Sequence, residues 1–171
     1  MRTTAIGFLI VMAVCGVARA QPPAGRQGGT ATGGRGGETA TVILQQAPAD
    51  HAVPISKEQL AQYLKDMDAK KLATLRMIEG GKFNVNIRRI TNAETALVHP
   101  QTIDVWVVIE GSGMLTTGGR IDNGRIAGGE SHPIKAGDVE FIPAGVPHGV
   151  SGVNGTITWL NIRWDVDWER K

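Results

Sequence analysis

From Leu72 onward the chain is written almost entirely as short apolar, β-branched runs separated by glycine, and no other feature limits its fold so much. Leu72–Glu79 and Phe83–Ile90 are parted by Gly80-Gly81. Asp104–Ile109 ends at Glu110-Gly111, and Met114–Thr117 ends at Gly118-Gly119. Ile121–Ile126 contains Asn123-Gly124, a two-residue hairpin signal. Val139–Ile142, Gly149–Val153 and Thr156–Trp164 complete the series, with Asn154-Gly155 read as a further turn. Many short strands at regular spacing predict an all-β antiparallel sandwich or small barrel. Neither βαβ alternation nor a repeat of solenoid period is visible.

One helix is expected outside that barrel. Ser56 and Gln59 form an S-x-x-Q capping box, with Ser56 as the N-cap. Leu60, Tyr63, Leu64 and Met67 follow at helical spacing. These residues predict a helix over 57–70 whose apolar stripe packs on the core.

The first forty residues read differently. Arg2, the uncharged apolar run Ala5–Val17 and the Ala18-Arg19-Ala20 cleavage pattern predict a signal peptide over 1–20. The run is too short to span a bilayer, which takes about 20 residues. No stable membrane insertion is therefore expected after cleavage. Cleavage would place the protein in the periplasm or outside the cell and remove Cys15, the only cysteine, so disulfides and thiolate chemistry are excluded. Residues 21–40 hold seven glycines and no large apolar side chain, which predicts a flexible tether unable to offset its own ordering entropy. A single domain is expected over 41–171, with its barrel core at about 72–164. Losing Arg2 and Arg19 leaves sixteen basic side chains against sixteen acidic ones, a balance that argues against nucleic acid as a partner. The sequence is 42% hydrophobic, which excludes wholesale disorder.

Two segments combine strand signals with metal-type ligands. The first runs from His99 through Asp104 to Gly111; the second is Gly137-Asp138-Val139-Glu140-Phe141-Ile142-Pro143-Ala144-Gly145-Val146-Pro147-His148. In order and spacing they resemble the two motifs of the cupin superfamily. Gly137, Pro143, Gly145 and His148 match the second motif, with Gly152 at its final asparagine position. In the first motif, Asp104 takes the glutamate position and His99 the second histidine position. Leu97 stands where the first histidine would be, and Thr91 replaces the leading glycine. The resemblance spans about 83–163 and implies a small jelly-roll barrel, commonly paired into a homodimer.

By the same resemblance, His99, Asp104 and His148 are the expected metal ligands. Two imidazoles and a carboxylate with open positions suit non-haem iron and tolerate manganese, nickel or zinc. Asp104 reaches about 1.5 Å less than glutamate, roughly one carbon–carbon bond. Strand alternation puts Asp104, Trp106 and Val108 on one face, and Leu97 and His99 on a shared face. Asn84, Asn86 and Arg88 also alternate. They line a pocket if that face is interior, or meet solvent if the strand is an edge. Which of Arg88 and Arg89 points inward stays open. Asn86, Arg88, Leu97 and Trp106 are the pocket candidates. His51 and His132 are expected at the surface, Asp165, Asp167 and Glu169 in a solvated tail, and Trp159, Trp164 and Trp168 in packing. Two functions follow. One is an exported, metal-dependent enzyme acting on a small organic molecule by dioxygenase, isomerase or lyase chemistry. The other is a metal-free cupin that binds a small molecule without catalysis. A third reading, a structural protein with a tryptophan interface, needs no site at all.

Overall fold

A computed structural model describes residues 41–168; the leader, the tether and Glu169 lie outside the described residues. The elements are β1 (Val42–Ile43), α1 (Lys57–Lys70), β2 (Thr74–Glu79), β3 (Phe83–Ile90), β4 (Thr102–Thr117), β5 (Arg120–Asp122), β6 (Arg125–Ala127), β7 (Glu130–Lys135), β8 (Val139–Ile142) and β9 (His148–Asp165). No helix among them is long and apolar enough to cross a membrane.

The frame is the antiparallel ribbon of β4 and β9, paired from Thr102↔Asp165 to Thr117↔His148. Its first half carries β3 on the β9 side and β8 on the β4 side. Its second half carries β7 on β4. Between the halves the ribbon bends, with register shifts at Val108/Glu110 and Glu110/Ser112. Gly111 makes the bend possible. It sits at φ +76°, and a Cβ there would lie 1.8 Å from the Thr156 carbonyl oxygen. Only glycine combines that backbone with so close an approach. The sequence reading cut both long strands in two, at Glu110-Gly111 and at Asn154-Gly155. The structure corrects this: both glycine sites bend a strand instead of ending it.

Folding the ribbon brings its two halves face to face. Ile90, Trp106, Val108, Ile142, Ile157 and Trp159 from one layer bury against Leu115, Ile134 and Val150 from the other. The arrangement is the predicted jelly roll, with its sheet not closed by hydrogen bonds among the described residues. Two further elements depart from expectation. Glu130–Lys135, which the sequence reading left without a strand, is a strand paired along β4. Residues Val42–Ile43 add a short strand parallel to β2, with α1 between them in sequence. The Asn123-Gly124 hairpin forms as read, with φ of 47° and 76°.

Helix α1 has the predicted bounds. Ser56 Oγ accepts from Gln59 N at 3.2 Å, and Gln59 Oε1 accepts from Ser56 N at 2.9 Å. Its apolar stripe packs with Leu75, Met77 and Ile87 on the outer face of the first layer. Arg89 points to that outer side and grips Asp68 of the helix through Nε and Nη2. This pairing holds the Asp68 carboxyl below its usual range. Beyond the helix the outer face stays open, with Val139 63% and Phe141 60% exposed.

Candidate metal centre

The second sequence motif works as a positioning device. Gly137, at φ +99°, turns the chain from β7 into β8, and Asp138 Oδ2 closes that turn on Lys135 N at 2.9 Å. Pro143 opens the next turn. Val146 N donates to Pro143 O at 3.3 Å, and Gly145 takes φ +79° within it. Gly145 N then donates to His99 O at 2.8 Å, pinning the backbone of a residue from the other motif. Val146 O accepts from His148 Nδ1 at 2.8 Å. That bond fixes the tautomer, so Nε2 presents its lone pair. A backbone bridge from Leu97 to His148 completes the link between the motifs.

Asp104 comes from β4, in register with Arg163 of β9 on one side and Ile142 of β8 on the other. Its Oδ2 lies 3.9 Å from Nε2 of both His99 and His148. One ligand atom from each of the three residues falls within a 4.8 Å group. Two ligands of one ion with bonds of about 2.1 Å stand at most about 4.2 Å apart, so the Asp104–histidine spacings already fit. The fit is also electrostatic. His99 Nε2, Asp104 Oδ2 and His148 Nε2 are buried, have no hydrogen-bond partner, and face one another. An unpaired buried polar atom costs about 1–3 kcal/mol, and a shared cation would relieve all three. The His99-Asp104-His148 group could therefore hold a metal ion.

Burial, aided by repulsion from Arg163 and opposed by Asp104, brings His99 down to about 4. Burial also lowers His148, partly offset by its bond to the Val146 carbonyl. Both rings are thus neutral at pH 7, as metal ligation requires. In the metal-free protein the unfolded chain binds more protons than the folded one between pH 6.5 and about 4. Stability should fall through that window as pH drops, by about 2 kcal/mol for His99, whose own contribution is complete below it. Urea unfolding at pH 7, 5.5 and 4.5 checks this. Asp104, Arg163 and His148 face the ring in parent and variant alike, so His99→Gln should flatten the slope, and equal slopes would contradict the assignment.

The remaining candidates fall in different places. Trp106 is buried beside the centre, edge-on to His148 with ring centroids 5.7 Å apart, and stacked on Trp159 at 4.6 Å. Asn86 is buried on the inner face, but its amide is fully engaged with Arg76, Asn84 and the Asn161 carbonyl. Strand β3 is therefore no edge: it lies between β2 and β9. Arg88 points inward and Arg89 outward, yet Arg88 is held by Glu94 and Thr74. Together with Leu97 it lines a hollow of about 770 Å³ beside the helix end, and none of the three metal-type residues lines that hollow. His51 is at the surface; His132 is half-exposed and meets Glu140 at 3.1 Å. Asp165 belongs to β9 and accepts from Thr102, while Asp167 pairs with Lys82.

The residue that the sequence reading missed is Arg163. Its Nε donates to Asp104 Oδ1 at 2.5 Å. The available signal was alternation on β9, where Ile157, Trp159, Asn161 and Arg163 share the inner face with buried partners. A cation at the end of that series marks a buried counter-charge.

No protein-family model and no curated protein sequence matches the chain. Solved structures do. BH2720 from Bacillus halodurans superposes with a TM-score of 0.51 at 19% identity, covering 72% of this chain and 86% of that one. A cupin protein from Bacteroides fragilis matches at 0.41 and 18%, covering 53% and 71%. The Schizosaccharomyces pombe Cnp3 cupin domain matches at 0.44 and 10%, covering 54% and 63%. With both motifs meeting across a folded β4–β9 ribbon, the chain has the cupin fold.

Proposed function

We propose that this protein is a metal-dependent enzyme acting on a small organic molecule. The observation that carries the reading is the set of three buried, unpartnered ligand atoms on His99, Asp104 and His148. Their composition is that of a facial triad, which suits iron and accepts manganese, nickel or zinc. Bound there, the metal would supply Lewis acidity, or oxygen activation if it is iron. The chain's own residues do the rest. The Val146 carbonyl holds His148 in the ligating tautomer, and Gly145 anchors the backbone of His99. Trp106, edge-on to His148 and stacked on Trp159, would keep water from the inner side. Leu97 offers no donor, so an ion held by the three side chains would keep open coordination for substrate. Dioxygenation, isomerisation and lyase chemistry all fit such a centre, because the fold itself does not choose among reactions.

A second reading has one observation of its own. Arg163 already neutralises Asp104 without any metal, as a metal-free binding protein would require. A titration separates the two. Adding iron(II), manganese, nickel or zinc to metal-free protein should change the fluorescence of Trp106, which abuts His148, and saturate at one equivalent. If none of the four metals is taken up, the enzyme reading fails and the metal-free binder takes its place.

A further inference from the structure

We propose that Arg163 is the anion-recognition residue of this centre, and that the substrate is a small carboxylate. The inference rests on the metal-binding reading and deepens it.

Accessibility comes first. Asp104 and His148 side chains are 1% and 2% exposed, whereas His99 and Arg163 are 27% and 22% exposed. The three ligand atoms are themselves buried, so the side chains nearest to solvent, those of His99 and Arg163, mark the approach to them, and an entering molecule meets the guanidinium. The donors come next. Arg163 uses Nε on Asp104, and neither Nη group has a hydrogen-bond partner among the described residues. The two Nη groups form the open end of a planar fork that matches a carboxylate.

Charge supplies the third argument. A divalent metal, one aspartate, one arginine and two neutral histidines leave a net charge of +2 in a largely buried site. Such an excess is costly in a low-dielectric interior, and an anionic ligand reduces it. Asp104 presents Oδ2 to the two histidines while its Oδ1 stays on Arg163 Nε, so Arg163 keeps that bond and offers its Nη groups to the substrate carboxylate. Arg163 thereby selects acids over their neutral analogues.

The test uses lactate, its neutral amide lactamide, and inorganic phosphate, titrated calorimetrically into the full metal-loaded protein. The expected result is lactate binding at least tenfold tighter than lactamide. Arg163→Gln should cut lactate affinity at least tenfold while one equivalent of metal is still held, since His99, Asp104 and His148 are all retained. Loss of lactate affinity with metal retained separates recognition from a structural role, which would lose both. Arg163→Lys keeps the charge without the fork and should fall between parent and Arg163→Gln; it also serves if Arg163→Gln does not fold. Equal lactate binding by parent and Arg163→Gln, or no preference for lactate over lactamide, would overturn the inference. Tighter binding of phosphate than of lactate would overturn the carboxylate assignment. A parent that holds no metal fails at the metal assay, before lactate is added, and removes the metal-binding reading and this inference together.

Discussion

Replacing His148 by alanine should weaken metal binding at least about a hundredfold, the upper end of what loss of an outer-shell partner alone costs. The reason lies in how completely His148 is committed. It is 2% exposed, its Nδ1 is fixed on Val146, and its Nε2 has no partner but the shared site. Truncation removes one of three ligands and leaves a void against Trp106, so nothing nearby can substitute. A metal that binds only the folded state raises stability by about 2.7 kcal/mol when present at a hundred times its Kd. The parent's melting temperature should therefore rise with added metal, and that of His148→Ala should not. Chelator competition on the same samples reads the affinity. Unchanged affinity in His148→Ala would remove the residue from the centre.

Trp159→Ala should produce the largest loss of stability, about 4 kcal/mol, in the range for emptying a buried tryptophan site. Trp159 is 1% exposed and stacked on Trp106 at 4.6 Å in the core between the two layers. For a domain of this size the loss corresponds to a fall of on the order of 12–20 °C in Tm. Trp159→Phe is the informative partner. The indole Nε1 of Trp159 is buried without an acceptor, and phenylalanine removes that unpaired donor along with part of the ring. The two effects oppose, so Trp159→Phe should stay within about 1.5 kcal/mol of the parent. Denaturant unfolding of both variants checks the pair. A loss in Trp159→Phe as large as in Trp159→Ala would show that the N–H has a partner in solution.

The contrast between these residues shows what a sequence exposes. Helix α1 was legible to the residue, because its capping box is local and its stripe follows one period. Strand β3 was equally plain, because Gly80-Gly81 and Thr91-Asn92 bound an uninterrupted run. The long strands β4 and β9 were not. Gly111 and Gly155 adopt positive φ in either a turn or a bend, and only pairing with a distant strand decides which. Strand β7 hid behind Gly128-Gly129 and carries Pro133, both features that weaken a strand signal.

The metal-type residues were readable because they fall at the positions of the cupin motifs that the two segments resemble. Pro143 and Gly145 set the loop that delivers His148, and two short segments sufficed to place all three side chains. Arg163 follows no such local rule. It meets Asp104 from 59 residues away, on a strand whose other inner residues are core. Arg88 misled for the same reason. Alternation left open whether Arg88 or Arg89 points inward; Arg88 does, but Glu94 and Thr74, which bind it, lie elsewhere in the chain.

The central claim is that one metal ion sits among His99, Asp104 and His148. Metal content by mass spectrometry tests it most directly, on protein purified without a nickel-leaching tag and beside a His99→Ala/His148→Ala double variant. The account predicts close to one equivalent in the parent and none in the variant. A metal-free parent, even after incubation with iron, manganese, nickel and zinc, or equal metal in both proteins, would contradict it.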